Sequence, residues 1–154
     1  MSSTAHCTTG AASSRPLPNP TVCVVDPRGE DYNCWKTLAP PAGVRLELVA
    51  TADEALRLAR THRIDLWMIN AELPGLSGLA LCGMLKAQDD RTTVYLVADE
   101  YTPELEQAAW QARATLFGCK GAHDAWLGEW LRNRSLQRLG PAAAKRTRRA
   151  LASP

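Results

Sequence analysis

The stretch Ile64–Gly78, I-D-L-W-M-I-N-A-E-L-P-G-L-S-G, decides the fold. Its first half, Ile64–Ile69, reads as a strand in which the four side chains Leu66–Ile69 are apolar without alternation. A strand needs that pattern when both of its faces are covered, as in a parallel sheet. The run stops at a polar residue, Asn70, and the chain turns through Pro74 and Gly75. Ser77 is then placed to cap a helix over Gly78–Lys86, whose Leu81, Met84 and Leu85 share one face.

The same alternation extends in both directions. Val22–Val25, Val44–Val49, Thr93–Val97 and Thr115–Cys119 read as further buried strands. Between them, Thr51-x-x-Glu54 is a capping box opening a helix over Ala52–Thr61. Thr102 followed by Pro103 is an N-cap with proline at the first helical position. A short helix within Asp31–Leu38 is closed by Pro40-Pro41. A last helix over Ala122–Asn133 places Trp126 with Trp130, and Leu127 with Leu131, at i, i+4 spacing. Five strands alternating with five helices imply an α/β fold, a doubly wound five-stranded parallel sheet with helices on both faces. In such sheets function sits beyond the carboxyl ends of the strands, which selects Asp26, Asn70, Val97-Ala98 and Lys120.

The 154 residues suit one domain with a single core. No apolar run approaches the roughly 20 residues of a membrane span, and the first nineteen residues contain one charge, Arg15, and no signal-type apolar segment. Residues 1–20, with seven Ser/Thr and Pro16, Pro18 and Pro20, read as a disordered lead-in. The net charge of +2 conceals a division. Residues 1–130 hold 11 Lys/Arg against all 16 Asp/Glu, whereas residues 131–154 hold seven Lys/Arg and no acid. The chain is therefore an acidic folded part, residues 21–133, followed by a basic tail, residues 134–154. Five cysteines at positions 7, 23, 34, 82 and 119 form no C-x-x-C pair, so no zinc site or redox motif is indicated and reduced thiols in the cytoplasm are expected. His6, His62 and His123 are scattered and read as solvated.

The residues at the strand ends resemble those of the bacterial response-regulator receiver family, of the CheY type. In that family the strand corresponding to Ile64–Ile69 ends in the phosphorylated Asp, with Pro four residues later and Gly eight later; Pro74 and Gly78 hold those places. The opening T-V-C-V-V-D resembles the first strand, which normally ends in an acidic pair for Mg²⁺. Leu116-Phe117-Gly118-Cys119-Lys120 resembles the fifth strand with its lysine, Phe117 standing at the switch aromatic. The resemblance spans Thr21 to Leu131 and implies the flavodoxin-like receiver fold.

For activity the resemblance implies a loss. Asn70 stands at the phosphoacceptor position, Pro27 at the second metal-binding acid, Val97 at the hydroxyl that grips the phosphoryl group, and Gly121 at the proline after the lysine. Asp26, Lys120 and the backbone carbonyl of Glu72 remain. A carboxamide has no anionic oxygen and cannot form an acyl phosphate. Mg²⁺ prefers carboxylate oxygen, and Asp26 and Lys120 on their own sum to zero charge, so metal binding is expected to be lost or weak. Asn70 can hydrogen-bond between the two. Phe117, lacking a tyrosine oxygen, is expected to stay buried. The expectation is a pseudo-receiver with no catalysis and no cofactor. A receiver with a displaced acceptor at Asp65, Glu72 or Asp99 is the conventional rival, and an unrelated enzyme is disfavoured because Pro27-Arg28-Gly29 is no phosphate loop.

Function then falls to surfaces. Trp110 on the fourth helix and Trp126 and Trp130 on the fifth fall on the face that the family uses for dimers and partners. A signalling-protein partner and a homodimer through the helix 4–strand 5–helix 5 face are therefore expected. The tail, with Arg134, Arg138, Lys145, Arg146, Arg148 and Arg149, is the candidate for an anionic partner, nucleic acid included.

Overall fold

A computed structural model describes residues 18–138. The strands are β1 (Thr21–Val25), β2 (Arg45–Val49), β3 (Leu66–Asn70), β4 (Val94–Ala98) and β5 (Leu116–Cys119). They pair in parallel in the order β2-β1-β3-β4-β5. β3, the sheet's centre, is buried at every position, which is why Leu66–Ile69 carries no alternation.

The helices are α1 (Asn33–Leu38), α2 (Ala52–Thr61), α3 (Gly78–Gln88), α4 (Pro103–Gln111) and α5 (His123–Arg138). Their starts follow from local chemistry. Thr51 and Glu54 form the reciprocal capping box, and Ser77 and Thr102 each accept the backbone N–H of the third residue of α3 and α4, Ala80 and Leu105. α1 is preceded by a 3₁₀ turn over Gly29–Tyr32. α5 runs to Arg138, so the expected division between fold and tail at residue 133 falls inside a helix. Residue 20 also belongs to the fold, since the Pro20 carbonyl accepts the Arg45 amide at 2.9 Å.

Two cores cover the sheet. One face packs Cys23, Val25, Ile69 and Leu96 against α2, α3 and α4 through Ala55, Leu81, Leu85 and Ala109. The other packs Val22, Val24, Met68 and Val97 against α1 and α5 through Trp35, Leu127 and Trp130. Two glycines set the closest approaches. A Cβ on Gly78 would lie 1.9 Å from the Asn70 carbonyl oxygen, so only glycine lets α3 begin against the end of β3. A Cβ on Gly118 would lie 2.5 Å from the Trp126 ring, so only glycine at this point of β5 admits the indole.

Candidate functional site

Four of the five strands, all but the edge strand β2, deliver one group to the carboxyl end of the sheet. Asp26 follows β1, Asn70 closes β3, Asp99 follows β4 and Lys120 follows β5. The 3₁₀ turn after β1 adds Asp31 and Tyr32. These groups form one connected network. Lys120 Nζ lies 2.6 Å from Asp26 Oδ2, 2.8 Å from Asp31 Oδ2 and 3.3 Å from Asp99 Oδ1. Asp26 Oδ2 also accepts Asn70 Nδ2 at 3.1 Å and the Tyr32 hydroxyl at 3.2 Å, while Oδ1 accepts the Arg28 amide at 2.9 Å. Asn70 Oδ1 accepts the Glu72 amide at 2.9 Å. The Arg28 guanidinium reaches across to Asp99, joining the loops after β1 and β4 over the site.

The electrostatics follow from this packing. Hydrogen bonding from Lys120 holds the Asp31 carboxyl below its ordinary value. Burial opposes ionisation of Asp99, but bonds from Arg28 and Lys120 outweigh it and its pKa is also lowered. Burial likewise works against the Lys120 ammonium, and the bonds to Asp26 and Asp31 overcome it, so its pKa is raised. Desolvation, reinforced by Asp26, pushes the Tyr32 phenol up, which keeps it a donor at any physiological pH.

The structure brings together Asp26, Asn70, Glu72 and Lys120 as the sequence suggested, with Val97 beside Asn70 in the β3–β4 register and fully buried. Pro27 is exposed and offers no donor to the site. The two-residue charge count is corrected: Asp31, Asp99 and Arg28 join the network, giving three carboxylates against two cations. Arg28, Asp31 and Tyr32 gave no periodic signal. Their only sequence clue was position, in the short loop after the first strand. Of the rival acceptors, Asp65 precedes β3 at the far end from Asn70, where it accepts the Thr21 amide and pairs with Arg134. Asp99 is in the network but is engaged by both cations. Among the described residues no group of three His, Cys, Asp or Glu side chains is arranged to hold a metal ion.

Other expectations change. Phe117 is half-buried, its ring 6.3 Å from that of the exposed Tyr101, because β5 is an edge strand with incomplete cover. His123 is buried rather than solvated: its ring stacks on Trp35 and meets Tyr32 edge-on, and its Nε2 lies 2.9 Å from the Asp31 carbonyl. Trp130 is 7% exposed and belongs to the core, so it leaves the candidate interface. Trp126 is half-covered by Gly118 and Tyr95. Trp110, at 50%, is the tryptophan that α4 presents to solvent. Arg134 is corrected from tail to fold: it pairs with Asp65 at 3.0 Å and lies over the Trp130 ring at 5.5 Å. Arg138 ends α5, and Lys145, Arg146, Arg148 and Arg149 lie outside the described residues, as do residues 1–17.

Residues 22–129 match the model of the response regulator receiver domain. The chain belongs to the response-regulator receiver family, the receiving side of two-component signalling. No curated protein matches it in sequence. Solved structures agree in fold. The signal receiver domain of an HD domain-containing protein from Pseudomonas fluorescens Pf-5 superposes with a TM-score of 0.68 at 22% identity, covering 78% of this chain and 96% of that one. A CheY-like receiver from Methanospirillum hungatei JF-1 gives 0.66 at 17%, covering 77% and 98%. The Thermotoga maritima response regulator TrrA, solved in complex with Mg²⁺-BeF, gives 0.64 at 21%, covering 74% and 97%. No helix of the described residues is long and apolar enough to cross a membrane.

Proposed function

We propose that this receiver transmits its signal without an aspartyl phosphate, as a non-enzymatic cytoplasmic module that works through protein contact. The observation that carries the reading is Asn70. It closes β3 where the resemblance places the phosphoacceptor, and its carboxamide donates to Asp26. A carboxamide offers neither charge nor a basic atom for attack on phosphorus. The surroundings support the same reading. Asp26 Oδ2 already takes three donors, including the Lys120 ammonium, so the residues present do not fit Mg²⁺, which seeks free carboxylate oxygen. Val97 supplies no hydroxyl. Lys120, buried, and Arg28, from the solvent side, occupy the carboxylates as the site's own cations.

The contact surface is the face of α4, β5 and α5, where Trp110 and Tyr101 stand exposed for a signalling partner or a second copy. The test is incubation with acetyl phosphate and Mg²⁺ followed by intact-mass measurement. No phosphoryl adduct is expected on this chain. An adduct that maps to the strand-end network would refute the reading.

A further inference from the structure

In a parallel sheet every strand-to-helix loop lies at the carboxyl end of the strands and every helix-to-strand loop at the amino end. The exposed charges of this chain sort the same way. Glu30, Asp53, Glu72, Glu100 and Glu104 follow β1, β2, β3 and β4 at the carboxyl end. Arg60, Arg63, Arg91, Arg113 and Arg132 lie at the amino end. Arg60 is in the last turn of α2, Arg63, Arg91 and Arg113 precede β3, β4 and β5, and Arg132 is near the end of α5. α5 reaches that end of the sheet, because Arg134 pairs with Asp65 just before β3. Residues 60–65, 89–93, 112–115 and 131–138 together hold seven arginines, no lysine and three aspartates. Those aspartates are engaged within the fold: Asp65 by Arg134 and the Thr21 amide, Asp89 by the Arg91 amide, Asp90 by Arg113.

Helix C-termini attract cations through their dipole, which accounts for Arg60. It does not account for Arg63 and Arg91, which stand in loops and have no carboxylate partner among the described residues. Nor does it account for Arg113, whose φ of 63° is the left-handed conformation that glycine adopts most easily after a helix. Its pairing with Asp90 is between two exposed groups and stabilises little.

We infer that the amino end of the sheet is a docking surface for the phosphate backbone of nucleic acid, held without regard to base sequence, and that the tail prolongs it. The chemistry of the surface selects this occupant. Guanidinium binds phosphate through paired hydrogen bonds, and arginine is the cation these segments carry. A protein partner needs an apolar or aromatic centre, and none of the exposed large apolar side chains belongs to these segments. A bilayer surface needs apolar groups to insert, and residues 139–154 offer only Leu139 and Leu151 beside their four cations. A linear polyanion needs neither, and surfaces that hold one are polar and strongly positive. The acids at the carboxyl end repel the same polyanion, so one end alone can dock it. α5 ends at Arg138 on this side, and the chain beyond adds Lys145, Arg146, Arg148 and Arg149 with no acid.

The surface lies at the opposite end of the sheet from Asn70 and does not include Trp110, so it stands or falls apart from the protein contact proposed above. The test titrates the full chain into a short fluorescein-labelled DNA duplex of arbitrary sequence and follows anisotropy. Binding is expected at low salt and should weaken steeply as salt rises. Arg63→Gln combined with Arg91→Gln should lower the affinity by about tenfold at about 50 mM salt and reduce the log–log salt slope by about two. Lys36→Gln, which removes an exposed cation of α1 outside these segments, should leave the affinity within about twofold. All three positions are exposed, and an unaltered near-ultraviolet circular dichroism spectrum confirms each variant's fold. Absence of duplex binding at low salt overturns the proposal. So does binding that the arginine pair leaves unchanged, which would belong to the tail alone, or binding that Lys36→Gln weakens as much, which would be an effect of net charge. Retention on phosphatidylserine vesicles without duplex binding would make a membrane the occupant, and low-salt self-association that leaves the duplex free would make it the acidic end of a second copy; either result overturns the proposal.

Discussion

The Lys120 ammonium lies 2.6 Å from the fully buried Asp26 carboxylate, with Asp31 and Asp99 as its further partners. It is the node at which the ends of β1, β4 and β5 meet. Removing one member of a buried ion pair leaves the other uncompensated, at a cost of about 3 kcal/mol. Lys120→Met should therefore lower the urea unfolding free energy by about that amount. A loss below about 1 kcal/mol would mean that the network is loose enough for water to replace the ammonium.

The same network fixes the acid limb of stability. The Asp31 and Asp99 pKa values are lowered in the fold, so below the ordinary carboxylate range the unfolded chain binds more protons than the folded one. Stability is then full above about pH 4 and falls as the pH drops further, through the folded-state values. At the alkaline end the raised Lys120 pKa works oppositely: its contribution is full below about pH 10 and declines as the pH rises through the folded value. Thermal unfolding followed from pH 2 to 11 should show both declines, and Asp99→Asn should make the acid one shallower.

Gly118 and Trp126 form a steric pair. The 2.5 Å approach of a Cβ to the indole means that Gly118→Ala must displace the ring or bend β5, an overpacking cost of about 1–3 kcal/mol. Trp126→Leu combined with Gly118→Ala should cost less than the sum of the two single changes. A double-mutant cycle by urea denaturation measures the coupling, and additivity would show that the ring does not rest on the glycine.

Arg134 and Arg132 separate fold from surface within one turn of α5. Arg134 pairs with Asp65 and covers Trp130, whereas Arg132 is exposed. Arg134→Ala should destabilise by about 1–3 kcal/mol, and Arg132→Ala should stay within about 0.5 kcal/mol of the parent. Equal effects would return Arg134 to the tail.

The fold was legible because its signals are local. The unbroken apolar run of β3, the Thr51/Glu54 box and the Thr102-Pro103 start each act over a few residues, and each fixes one element. The site was legible where it lies at a strand end, as Asp26, Asn70 and Lys120 do. Asp31 and Asp99 were not assigned to Lys120 because that pairing depends on how the loops after β1 and β4 bend, and no periodicity records it. Trp126 and Trp130 have the same helical spacing from a distance, yet one lies over a glycine at the edge strand and the other sits in the core. His123 escaped notice because its burial is supplied by Trp35 and Tyr32, far away in sequence. Met84 shares its helical face with Leu81 and Leu85 by spacing, yet it is exposed while they are buried, a difference that helical spacing does not record.

The most direct measurement is a tryptophan-fluorescence titration with Mg²⁺ through the millimolar range, followed by beryllofluoride, the phosphoryl mimic. The protein carries its own reporters. Trp67 is buried in β3 three residues before Asn70, and Trp35 meets Tyr32, whose hydroxyl binds Asp26. A flat response to both additions is expected if Lys120 and Arg28 occupy the carboxylates and Asn70 accepts no phosphoryl group. A saturable change with Mg²⁺, deepened by beryllofluoride, would contradict the account and show a working phosphoryl pocket.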